Sequence, residues 1–213
     1  MRIIGIDLAG VEKKTTGFAV MSNGMRVRTM PLHSDEEIIE ATLKEKPDLV
    51  TIDAPLGLPK GRCCIEYNCK CVKHGFTREC ERALYKMHIR VFPCGFAGMQ
   101  KLTKRGIMLK GLFEGKGLKV IETYPGSAQD LLGIPRKGDD HRPLQKALIK
   151  YGFKGDVGRK DITHDELDAI TSALVGHLYL KGKTLALGIE EESQIITALP
   201  KNQSTLKIKK SKK

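Results

Sequence analysis

The chain has 213 residues, of which 40% are hydrophobic, 29% charged and 5% aromatic, and it contains no tryptophan. That balance is the balance of a globular domain, and it excludes an extended aromatic platform for stacking the bases of single strands. A net charge of +12 favours polyanionic partners, nucleic acid first among them, and no apolar run approaches the ~20 residues that a membrane span needs.

Residues 2–8 are a short apolar run, rich in β-branched side chains and closing on Asp7 and Leu8 before Gly10. That is the pattern of a buried strand opening into a turn. Runs 17–21 and 25–30 flank Ser22-Asn23-Gly24, and Asn-Gly predicts a hairpin turn with both residues at positive φ. Arg26 and Arg28 alternate with Met25, Val27 and Thr29, so one face of the second hairpin strand is expected to be wet. Ser34-Asp35-Glu36-Glu37 is a capping box. It opens a helix to about residue 46, with Ile38, Ile39, Thr42 and Leu43 inward, and Pro47 ends it. Residues 48–53 read as a second buried strand ending on Asp53, and Ala54-Pro55-Leu56-Gly57 forces an exit from the sheet.

Residues 60–114 hold all six cysteines and read as an insertion between core strands, with helices over 78–88 and near 99–113. Residues 118–124 form the next strand and carry Glu122, and short helices are expected up to residue 132 and over 143–151. A second capping box, Thr163-His164-Asp165-Glu166, opens a helix to about residue 180. Leu167, Ile170, Leu174 and Leu178 fall at core spacing there, and Asp165, Asp168 and Ser172 share a face. Residues 185–199 carry no decisive pattern. A hairpin at one end and strand–helix alternation at the other imply a mixed α/β sheet with flanking helices. Residues 1–199 are expected to be one domain with 60–114 as a Cys-rich insertion, and 200–213 a basic, disordered tail. The start Met1-Arg2 runs directly into a strand pattern, so a cytoplasmic protein is expected.

Asp7, Asp53 and Glu122 close or flank apolar strands, while Asp165 and Asp168 sit on the late helix. Magnesium and manganese are hard cations that take oxygen ligands. Carboxylates from separate elements on one wall can hold such ions for phosphodiester cleavage. Asp7, Asp53, Glu122, Asp165 and Asp168 are therefore the candidate catalytic set, with Asp7, Asp53 and Asp168 as ligands of Mg²⁺ or Mn²⁺. Each has an ordinary alternative: Asp7 and Asp53 as turn formers, Glu122 as the partner of a Lys or Arg, Asp165 as an acid favoured in a first helical turn. Lys60, Arg62 and Lys137 are candidates to hold a phosphate.

Cys63-Cys64-Ile65-Glu66-Tyr67-Asn68-Cys69-Lys70-Cys71 packs four thiols into nine residues, with Cys80 and Cys94 following. Such density points to zinc or an iron–sulfur cluster, or else to scattered buried or redox thiols. Cys64, Cys69, Cys71 and Cys80 are the expected ligands, although Cys80 also reads as a packing thiol. Lys70, Lys73, Arg78 and Arg82 around them would make a basic patch for a nucleic-acid backbone.

Gly5-Ile6-Asp7-Leu8-Ala9-Gly10, Thr51-Ile52-Asp53-Ala54-Pro55-Leu56-Gly57, Glu122-Thr123-Tyr124-Pro125 and His164-Asp165-Glu166-Leu167-Asp168-Ala169-Ile170 resemble the four signature segments of the DUF429 family. Arg78-Glu79-Cys80-Glu81 with Arg90-Val91-Phe92-Pro93 resembles its central segment. The resemblance runs over nearly the whole chain, leaving out the Lys-rich tail. It implies a ribonuclease H-like fold, a metal site and a predicted nuclease activity. The late Asp-x-x-Asp-Ala helix is also similar to that of Holliday-junction resolvases of the same fold. The expected function is a divalent-metal-dependent nuclease. The alternative is a non-catalytic nucleic-acid-binding protein that uses the metal-stapled cysteine insertion. A third reading arises because Gly5-Ile6-Asp7-Leu8 with Thr15-Thr16-Gly17 resembles the first phosphate loop of actin-like ATPases, whose further motifs do not appear in the sequence.

Overall fold

The computed structural model describes residues 1–136, 138 and 140–201. Lys137 and the tail beyond residue 201 lie outside the described residues. The strands are β1 (Ile3–Asp7), β2 (Thr16–Ser22), β3 (Arg26–Leu32), β4 (Leu49–Asp53), β5 (Val120–Thr123), β6 (Lys154–Gly155), β7 (Thr184–Leu187) and β8 (Ile195–Ala198). The helices are α1 (Asp35–Glu45), α2 (Glu79–Lys86), α3 (Gln100–Gly115), α4 (Pro125–Leu132), α5 (Arg142–Tyr151) and α6 (His164–Leu180). The strands form one sheet in the order β6-β3-β2-β1-β4-β5-β8-β7. Strand β2 runs antiparallel between β1 and β3, while β1, β4, β5 and β8 are mutually parallel. This is the mixed α/β sheet with flanking helices expected from the sequence.

Successive side chains of a strand point to opposite faces, and the two cores divide accordingly. Ile3, Ala19, Met21 and Leu49 pack with Leu167, Ile170 and Leu174 of α6 on one face. Ile4, Ile6, Val50 and Ile52 pack with Ile38 of α1 and with Leu109 and Phe113 of α3 on the other. Helix α3, though it falls within the cysteine-bearing stretch, is thus part of the main core. Both capping boxes form as expected: Ser34 Oγ accepts from the Glu37 amide, and Thr163 Oγ1 from the Glu166 amide.

Helix α6 lies unusually close to the sheet. A Cβ on Gly5 would overlap the Ala169 carbonyl, and one on Gly17 the Asp165 carbonyl. Glu166 pins the start of that helix from below. Its Oε1 accepts from Thr29 Oγ1 at 2.7 Å and from Arg159 Nη2 at 2.8 Å.

One expectation is corrected, and one open stretch is resolved. The hairpin closes through a three-residue turn, Asn23–Met25, in which Gly24 (φ 70°) and Met25 (φ 57°) take the positive angles, not Asn23 and Gly24. Ser22 pairs with Arg26, so three residues must bridge the strands. The undecided stretch near the C-terminus supplies β7 and β8, the latter inserting beside β5. Among the described residues, no helix is long and apolar enough to cross a membrane.

Candidate active site

Strands β1 and β4 run parallel with Ile3 opposite Leu49 and Asp7 opposite Asp53. Register partners on neighbouring strands lie about 4.8 Å apart. Alternation puts Asp7 on the α6 face with Ile3 and Gly5, and Asp53 on the same face with Leu49 and Thr51. Both are half-buried, at the carboxyl ends of their strands, where the chain leaves the sheet. Open parallel sheets characteristically bind ligands at that end. Both aspartates line one cleft together with Glu122, Arg78, Phe92 and Tyr124. Asp7 also lines an adjoining cleft with Asp165, Lys13 and Lys14.

Asp168 is 5% exposed and accepts a hydrogen bond from Gln129 Nε2 at 2.8 Å. One turn on, Ser172 Oγ accepts from Thr123 Oγ1 of β5 at 3.1 Å. This side of α6 therefore faces β5 and α4, while Asp165 and Ala169 lie over β2 and β1. The shared face read from the sequence is split between two neighbours of the helix.

Glu122 is placed differently. It is the register partner of Ile52, so it points to the opposite face from Asp53. There it is 3% exposed. Arg78 Nη2 donates to its Oε1 at 2.6 Å, and Arg78 Nη1 and the Leu56 amide donate to its Oε2 at 2.7 and 2.8 Å. Arg78 is itself 1% exposed and also donates from Nε to Glu81 Oε1 at 3.0 Å. Burial works against the Arg78 charge, but the Glu122 carboxylate outweighs it and keeps the guanidinium firmly protonated. Burial likewise raises the Glu81 pKa, with Arg78 opposing. Arg78 is thus a buried clamp, not part of a surface patch. Arg62, expected near a phosphate, is also buried and donates to the Cys64 and Glu66 carbonyls. Lys60 is exposed and pairs with Glu191 at 3.0 Å.

The wall beside the aspartates is apolar and aromatic. Phe92 is 63% exposed and stacks on Phe96 with centroids 5.3 Å apart and planes at 17°. Tyr124 donates its hydroxyl to the Arg90 carbonyl at 2.8 Å. Burial pushes its pKa up, and Arg136 only partly opposes that.

Sequence reasoning missed Arg105, which donates to Asp35 Oδ1 at 2.6 Å, the Ala9 carbonyl at 2.7 Å and the His33 carbonyl at 2.8 Å. It fixes the loop that follows Asp7. Arginines are mostly exposed, and no local signal marks this one as buried. Lys13 and Lys14 were also missed, and their position directly after the Asp7 turn was the available signal.

All six cysteines are free thiols. The structure gathers Cys63, Cys64, Cys69 and Cys71, whose sulfurs all lie within 4.8 Å of one another, a group able to hold a metal ion. Cys80 does not join them: it sits in a separate apolar cluster with Leu84, Ile89, Leu131 and Ile195. Cys63 takes the place expected for it.

Residues 5–105 match the model of the DUF429 family, described as a protein of unknown function. No curated protein matches the sequence. Two solved structures of RuvC from Thermus thermophilus align with the chain, one of them in complex with Holliday junction substrate. Each is 11% identical, over 92% of this chain and 100% of the other, with TM-scores of 0.47 and 0.46. The family likeness read from the sequence is therefore found as a likeness to DUF429 over residues 5–105, the stretch that carries Asp7, Asp53 and all six cysteines.

Proposed function

We propose that this protein is a divalent-metal-dependent nuclease that hydrolyses nucleic-acid phosphodiester bonds. The observation that carries the reading is the register pairing of Asp7 with Asp53 at the carboxyl ends of adjacent parallel strands. It sets two oxygen-donor side chains side by side at a cleft. Mg²⁺ or Mn²⁺ fits that donor set, and Asp7, Asp53 and Asp168 would hold it. Bound there, such an ion would supply charge stabilisation on the phosphate oxygens and a more acidic water.

The remaining roles fall to the residues around this pair. Asp165, which shares a cleft with Asp7, would orient the attacking water and accept its proton. Lys13 and Lys14 in that cleft would neutralise backbone phosphates. The exposed Phe92–Phe96 pair offers a ring face to an unpaired base. Glu122, held by Arg78, anchors the Leu56 amide and with it the turn that follows Asp53. The cysteine group would serve a separate, structural metal. The net charge of +12 suits a nucleic-acid substrate.

The test is cleavage of end-labelled single-stranded, duplex and branched oligonucleotides with Mg²⁺ or Mn²⁺, comparing wild type with Asp53→Asn. The reading requires cleavage by wild type that the variant loses while still binding the oligonucleotide. Binding by wild type without cleavage of any substrate would favour the non-catalytic nucleic-acid-binding alternative.

A further inference from the structure

We propose that Cys63, Cys64, Cys69 and Cys71 bind a single zinc ion, and that this ion braces one wall of the Asp7–Asp53 cleft. The site does not depend on the nuclease reading.

Four thiolates around one tetrahedral ion at the usual Zn–S distance lie about 3.8 Å apart. Here Cys63 and Cys69 sulfurs are 3.5 Å apart, Cys64 and Cys71 3.9 Å, and Cys69 and Cys71 3.2 Å. An iron–sulfur cluster spreads its four thiolates over two or four irons, which demands a wider cage than these sulfurs form. The soft donor set also discriminates against magnesium and manganese, which prefer oxygen.

The surroundings suit a centre that carries negative charge, as four thiolates on a divalent ion do. Arg62 donates to the carbonyls of Cys64 and Glu66 at 2.9 Å each and lies over the Phe76 ring at 4.5 Å. Its Nη1 is buried and, among the described residues, has no hydrogen-bond partner. Lys70 and Lys73 lie on either side of Cys71 in the sequence. The loop has little regular structure to hold it. One 3₁₀ turn, Lys70–His74, follows Cys69, and Ile65 is its one fully buried aliphatic side chain. A metal ion would replace the missing core.

The same loop holds the cleft wall. Tyr67 donates its hydroxyl to the Gly95 carbonyl at 3.0 Å, and the Gly95 amide donates to the Phe76 carbonyl at 3.1 Å. Gly95 lies between Phe92 and Met99, both of which line the cleft with Asp7 and Asp53. Ordering the loop at the cysteines therefore orders residues 92–99. On binding, the thiol protons leave to solvent, and no redox change is involved.

The experiment is elemental analysis of the reduced, full-length protein, followed by Co²⁺ substitution and limited trypsinolysis. One zinc per chain is expected, with Co²⁺ giving the visible bands of a tetrahedral four-thiolate site. Cys69→Ser and Cys71→Ser lose both signals, while Cys80→Ala keeps them. Chelation is expected to open Lys70 and Lys73 to trypsin while the far-ultraviolet circular dichroism stays unchanged. Absence of zinc and of a Co²⁺ spectrum in the reconstituted wild type overturns the site, and so does stoichiometric iron with sulfide. Loss of zinc in a folded Cys80→Ala overturns the ligand set. Unchanged trypsin resistance after zinc removal overturns the bracing.

Discussion

The Arg78 guanidinium holds both carboxylate oxygens of Glu122, a residue 44 positions away, at 2.6 and 2.7 Å. Both partners are almost wholly buried, so the pair joins the N-terminus of α2 to the end of β5 at low dielectric. Removing one member of a buried pair strands the other charge and costs about 3–5 kcal/mol. Arg78→Met is expected to lose that much in urea unfolding, because Glu122 and Glu81 both lose their counter-charge. The double variant Arg78→Met with Glu122→Gln is expected to recover part of it. A loss below about 1 kcal/mol for Arg78→Met would place the pair among weak surface bridges.

Gly5 and Gly17 let α6 approach β1 and β2, with Ala169 packed over Gly5 and Asp165 over Gly17. Gly5→Ala and Gly17→Ala would drive a methyl group into helix backbone, and each is expected to destabilise by about 1–3 kcal/mol or more. Gly111, exposed on α3 with open space around it, is the control. Gly111→Ala is expected to stabilise by about 0.5–1 kcal/mol through helix propensity. Thermal melts of the three variants check both directions.

The aspartates were legible because Asp7 and Asp53 each end a short β-branched run, and the two capping boxes declare α1 and α6 in four residues apiece. Glu122 was not legible in the same way. Its face depends on pairing with Ile52 rather than with Asp53, and a shift of one residue in register reverses every side chain. Strands β7 and β8 have four residues each and take their place from partners distant in sequence. The cysteine set went astray at Cys80, because proximity among thiols follows the path of the loop. That path turns at Gly61 and Gly75, both with positive φ.

Burial pushes the Cys94 thiol up to about 12, with the Glu81 charge adding to the shift, and burial raises Cys80 as well. Above the ordinary thiol value of 9 the unfolded chain ionises these groups while the folded chain keeps them protonated. The unfolded state then binds fewer protons, and stability falls as pH rises. Their contribution is complete below pH 9 and is lost as pH climbs towards 12. Denaturation midpoints measured across that window are expected to fall, and Cys94→Ala is expected to flatten the slope. An unchanged slope in Cys94→Ala would show that other groups set the alkaline limit.

The nuclease reading stands on a divalent-metal site at the carboxylates that end β1 and β4. Isothermal titration of the full-length protein with Mn²⁺, beside Asp7→Asn and with an uncleavable oligonucleotide present in a parallel run, is the measurement to make. Saturable Mn²⁺ binding is expected in wild type, and its loss in Asp7→Asn at unchanged thermal stability. Equal Mn²⁺ binding by both proteins, or none by wild type even with the oligonucleotide, would contradict it.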